Sequence, residues 1–99
     1  MTDREFFNLI SKALFVDKSC KTNTWYTIVI NGRPICEAMI NSHNFIHIRK
    51  PIKKIHWYIN SDNAYLYKTY RFNRQQKLVY AGIAKGEKPT EENKKEITI

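Results

Sequence analysis

The sequence predicts an α+β domain: an N-terminal amphipathic helix packed on an antiparallel sheet of about five to six strands, followed by a charged C-terminal tail. Three observations carry this. Apolar residues recur at helical spacing only at the start of the chain. From Asn23 onward, β-branched and aromatic runs alternate with turn-forming segments. After Gly86 the aromatics stop and lysines and glutamates take over. Residues 1–84 are therefore expected to form one compact domain and 85–99 a charged, flexible tail.

The helix is opened by Thr2 and Glu5, whose spacing is that of a capping box satisfying orphan backbone N–H groups. Phe6, Leu9, Ile10, Ala13 and Leu14 then fall on one side, with Arg4, Asn8, Ser11 and Lys12 on the other. One short amphipathic helix does not hold itself folded, so its apolar side needs a sheet to cover. The polar run Asp17 to Thr22 ends it.

Thr24 to Ile30 reads as the first strand, and Asn31-Gly32 is the dipeptide that best tolerates a tight hairpin turn. Ile35 to Ile40 returns, with Pro34 placing its start near an edge or bulge. Phe45 to Arg49 is a third strand, Lys54 to Asn60 a fourth, Ala64 to Phe72 a fifth and Lys77 to Ile83 a sixth. Asn41–Asn44, Ser61–Asn63 and Asn73–Gln76 supply turn chemistry between them. Gly86 to Glu96 suits a flexible segment or a short helix opened by Thr90, and Ile97-Thr98-Ile99 is β-prone enough to dock on an edge strand.

A chain of 99 residues buries about 65% of its unfolded surface on folding, enough for a core without staples. No run approaches the ~20 apolar residues of a membrane span, and the start lacks the pattern of a signal peptide. Cys20 and Cys36 are too few for a disulfide scaffold or a four-cysteine zinc site. Unpaired, they favour a reducing, intracellular and cytoplasmic setting. The acids are too scattered for a two-metal site, three glycines leave no phosphate-cradling loop, and no cofactor is expected.

The charge is the informative quantity. There are 17 Lys and Arg against 9 Asp and Glu, a net +8. In the tail the lysines and glutamates cancel, whereas Phe45 to Lys77 holds eight basic residues and one acid, Asp62, for a net +7. Alternation along the third to fifth expected strands sorts this stretch into two faces. Ile46, Ile48, Ile55, Trp57, Ile59, Leu66, Tyr70 and Phe72 make a core face, shared by Ala64 and Lys68. His47, Arg49, Lys54, His56, Tyr58, Tyr65, Tyr67 and Arg71 make a face that is basic and aromatic at once.

Such a face suits nucleic acid: cations neutralise phosphates while flat rings stack unpaired bases. The residues expected to carry contact are Arg49, Lys50, Lys53, Lys54, Tyr58, Tyr65, Tyr67, Arg71 and Arg74, with a single strand favoured as partner. A bland solvated face that only aids solubility uses the same residues. An alternative is a protein that inhibits or recruits an acidic host-protein surface through the same face, for which Tyr and Arg are usual anchors. The Ile-, Lys- and Asn-rich composition suits a phage or viral accessory factor. A second alternative is a small metal-independent ribonuclease, with His47 and His56 as acid and base. An unpaired sheet edge also allows a homodimer, through the Asn31-Gly32 hairpin or through Ile97 to Ile99.

Overall fold

A computed structural model describes residues 1–16, 20–52, 64–87, 90, 92 and 94–99. Helix α1 (Asp3–Ser11) is followed by one wider π-type turn over Lys12–Val16. The strands are β1 (Tyr26–Ile30), β2 (Arg33–Ile40), β3 (Ile46–Pro51), β4 (Ala64–Phe72), β5 (Leu78–Glu87) and β6 (Glu96–Thr98). They form one sheet in the order β5-β4-β3-β2-β1-β6, antiparallel throughout except where β6 runs parallel to β1. One helix on a six-stranded, mostly antiparallel sheet is the α+β arrangement the sequence predicts. The expected strand over 54–60 lies outside the described residues. No described helix is long and apolar enough to cross a membrane.

The capping box forms as read: Glu5 N donates to Thr2 Oγ1 at 3.1 Å, and Thr2 N donates to Glu5 Oε1 at 3.2 Å. The Thr2 backbone N–H, and then the Thr2 hydroxyl, hold the exposed Glu5 carboxyl below its ordinary value. Asp3 Oδ2 accepts from Leu78 N at 2.9 Å, which ties the helix start to the beginning of β5. Phe6 and Phe7 pack on Phe72, and Ile10, Ala13 and Leu14 are buried in the core with Ile28, Cys36, Ala38, Ile40, Ile46, Ile48 and Ile97. All the strand residues in that set lie on one side of the sheet, as period-2 alternation requires. Burial pushes the Cys36 thiol up to about 12, outweighing the opposing pull of the Lys50 charge and leaving an inert packing group.

Turn chemistry sets the register. Asn31 (φ 52°) and Gly32 (φ 76°) both adopt positive φ, which a two-residue hairpin matching strand twist demands. The β2–β3 and β4–β5 turns are twins. Asn41 Oδ1 accepts from His43 N and Phe45 N, and Asn73 Oδ1 accepts from Gln75 N and Lys77 N. The fourth residue of each turn, Asn44 or Gln76, takes positive φ, the arrangement of a type I turn closed by a left-handed residue. Both turns lie at the same end of the sheet, since β2 and β4 run in the same direction.

At the sheet edges, β5 continues to Glu87, and Ile97 is buried in the register of β6 on β1, opposite Ile28, the edge docking for which Ile97 to Ile99 is suited. In consequence β1 is an interior strand, so the Asn31-Gly32 hairpin does not offer a free edge for a second copy. The outer strands are β5 and β6.

Candidate nucleic-acid interface

The face away from the helix departs most from the alternation reading. Arg49 and Tyr67, expected to be exposed there, are withdrawn into a small second core. Tyr67 is fully buried. The Arg49 guanidinium lies between two rings, 4.2 Å from the Trp25 centroid and 4.0 Å from that of Tyr67. Arg49 Nη2 donates to Glu37 Oε1 at 2.9 Å, directly across the β2–β3 ladder. The second prong of that fork is not closed to hydrogen-bond distance, because Arg49 Nε and Glu37 Oε2 are both buried without a partner among the described residues. Tyr67 donates its hydroxyl to Glu87 O at 2.8 Å. The cation and ring are thus spent on each other, and neither presents itself to a phosphate or a base.

The end of β5 seals this cluster. A Cβ on Gly86 would stand 2.7 Å from both Arg49 Nη1 and Tyr67 Cε2. Gly86→Ala is therefore expected to destabilise by about 1–3 kcal/mol through overpacking. A thermal melt checks this, and an unchanged midpoint would show that the seal gives way freely. Beside the cluster, a hollow of about 370 Å³ is bordered by Glu37 and Glu87 as well as Arg49, Lys94 and Lys95. Its mixed charge does not select an anion.

The exposed cations lie elsewhere. Lys50 and Lys68 are direct cross-strand partners, both exposed, on the same side of the sheet as Ile48. The Lys50 ammonium is 5.9 Å from the Tyr70 ring. Ile83 is the partner of Lys68 on β5 and Lys85 that of Leu66. Both β5 residues are exposed, as is Tyr80, whose ring packs edge-on to Tyr70. This is the helix side of the sheet, yet the helix does not reach it. Fourteen helical residues span only about 21 Å, against about 24 Å across six strands that are themselves up to about 30 Å long. Lys68, assigned by alternation to the core face, is exposed because the helix ends before it reaches that part of the face.

Arg71 is exposed on the other side, in register with His47 on β3 and Val79 on β5. Arg74 is exposed in the β4–β5 turn, beside Lys77. Among the described residues, none of Lys50, Lys68, Arg71, Arg74, Lys77 and Lys85 is in an ion pair; the pairs formed are Arg49–Glu37 and Lys94–Glu96. Tyr65 occupies the β4 position opposite Gly86. Lys53, Lys54 and Tyr58, with His56 and Trp57, lie outside the described residues. Sequence reasoning missed Lys85, Ile83 and Tyr80 as part of any surface. A bulge on β5 between the pairs at Thr69 and Tyr70, where Gly82 takes φ 111°, shifts their side assignment.

His47 is held neutral. Asn41 Oδ1 accepts two backbone N–H groups, which fixes the amide orientation and points Asn41 Nδ2 at His47 Nε2, 3.1 Å away. The ring nitrogen must accept, so the proton sits on Nδ1. Burial, and then the Arg71 charge, lower the His47 pKa. With the folded value below the ordinary 6.5, the unfolded chain takes up the proton first as pH falls. The contribution to stability is full above that value and is lost as pH drops through it toward the folded pKa. Melting temperature is expected to fall more steeply from pH 8 to pH 5 in the natural protein than in His47→Gln; parallel curves would refute the assignment.

No group of three or more His, Cys, Asp or Glu side chains placed to hold a metal occurs among the described residues. No protein-family model matches this chain, and neither a curated protein nor a solved structure does.

Proposed function

We propose that this chain is a nucleic-acid-binding module that holds a single strand along β3, β4 and β5. The observation that carries the reading is the Lys50–Lys68 pair. Like charges directly opposite on neighbouring strands repel, and here no described acid relieves them. A polyanion supplies the missing countercharge, and Tyr70, Tyr80 and Ile83 offer flat and apolar surface beside it for unpaired bases. An accessory role in a phage or virus is the setting that the composition suits, and the buried thiol of Cys36 suits a reducing cytoplasm.

The test is fluorescence anisotropy with labelled single-stranded RNA, single-stranded DNA and duplex DNA across a salt series. Each phosphate contact to a single strand contributes about −0.7 to the slope of log affinity against log salt. Replacing Lys50 and Lys68 together by Gln is expected to flatten that slope by about 1.4. An unchanged slope would remove these lysines from the interface, and absence of binding at low salt would remove the reading.

A partner protein is the second reading, favoured by one observation. β5 is a ten-residue edge strand exposing Val79, Tyr80 and Ile83, and its residues 78–84 carry no charge. Such an edge is suited to accept a strand from a protein surface. In that case charge reversal at Lys50 and Lys68 weakens a protein complex while oligonucleotides do not bind.

A further inference from the structure

The twin turns frame a groove that the sequence does not announce. It has a volume of about 340 Å³ and lies between Asn41 and Asn73, the residues that open the two turns, within the size range of small-ligand sites. Its walls include Phe45, His47, Arg71 and Tyr80, and no acidic residue lines it. Phe45 is 64% exposed. A phenylalanine so exposed at the lip of a cationic groove buries little against its own protein. Arg71 and the His47 Nδ1 are both donors, because Asn41 occupies His47 Nε2. The groove therefore offers flat apolar surface at its rim and donors without acceptors from these two side chains. Arg74 and Lys77 continue the positive charge along the β4–β5 turn beyond Asn73.

We propose that this groove seats one nucleotide of an unpaired strand, its base stacked on Phe45 and its phosphate paired with Arg71. The proposal rests on the nucleic-acid reading and deepens it. The groove, and not the Arg49–Tyr67 cluster, provides the ring-plus-cation pairing that binding of single strands requires. Lys50 and Lys68 then act as sequence-independent phosphate contacts on the opposite face of the sheet, reached by a strand that passes over the β5 edge. A duplex buries its base faces in its own stack and gains nothing from Phe45, so the groove is what discriminates strandedness.

Two experiments separate failure of this inference from failure of the wider reading. In the first, adenosine monophosphate is titrated into isotope-labelled full-length protein. The Phe45, His47 and Arg71 resonances are expected to shift together and to saturate. In the second, single-stranded and duplex oligonucleotides are compared on the natural protein and Phe45→Ala, an exposed position whose truncation leaves the core intact. Loss of one stacked base is expected to weaken single-strand binding by roughly 5- to 150-fold and to leave duplex binding unchanged. Single-strand binding that is intact in Phe45→Ala, with groove resonances unmoved by the mononucleotide, overturns the groove while the Lys50–Lys68 interface stands. Saturable mononucleotide shifts without any oligonucleotide binding keep the groove and overturn the wider reading.

Discussion

Replacing Arg49 with methionine is expected to lower the unfolding free energy by about 3–5 kcal/mol, the range for stranding one partner of a buried ion pair. Its side chain is 13% exposed and that of Glu37 10%, so solvent screens the pair weakly. Methionine fills part of the space between Trp25 and Tyr67, but it leaves the Glu37 carboxylate buried without its cation. The paired change Arg49→Met with Glu37→Leu removes both charges and is expected to recover most of the loss, since apolar residues of similar volume replace buried ion pairs at little cost. Urea unfolding midpoints of the three proteins decide the matter. A cost below about 0.5 kcal/mol for the single change, the level of ordinary surface substitutions, would mean that the pair is solvated.

Tyr67→Ala is expected to cost about 3–5 kcal/mol, the range for emptying an aromatic site in a core. Tyr67→Phe, which loses the hydroxyl donation to Glu87 O and keeps the ring, should cost about 1 kcal/mol. The contrast bears on function. If Tyr67 were a stacking platform, Tyr67→Ala would weaken nucleic-acid binding in a protein of unchanged stability. Buried against Arg49, the ring instead holds the sheet closed, and any loss of binding in Tyr67→Ala tracks loss of folded protein. Circular dichroism melts run beside the binding titrations distinguish the two: full stability in Tyr67→Ala would return the ring to the interface.

Local chemistry was legible from the residues alone. The Thr2–Glu5 capping box, the apolar stripe from Phe6 to Leu14 and the Asn31-Gly32 turn each depend on residues within a few positions of one another. The placement of Ile46 and Ile48 on the core side follows from alternation alone. The docking of Ile97 is β-propensity realised: a branched apolar residue near the chain end finds Ile28 at an unpaired strand.

Tertiary structure alone decided the site. Alternation sorts residues into two sides of a sheet, but it does not say which parts of each side are covered. Arg49 and Tyr67 share a side with Arg71, yet Tyr67 is buried and Arg49 half-buried, whereas Arg71 is exposed. The difference arises from Glu37 on β2, Trp25 ahead of β1 and Gly86 at the end of β5, positions distant in sequence that only strand order brings together. Lys50 and Lys68 share a side with the core, yet both are solvated because a helix of this length ends before it reaches them. Composition and period thus determined the fold class, the core side and the excess of positive charge. Which cations remain free for a partner was decided by long-range cover, a quantity that depends on where strands and helix stop rather than on any local pattern.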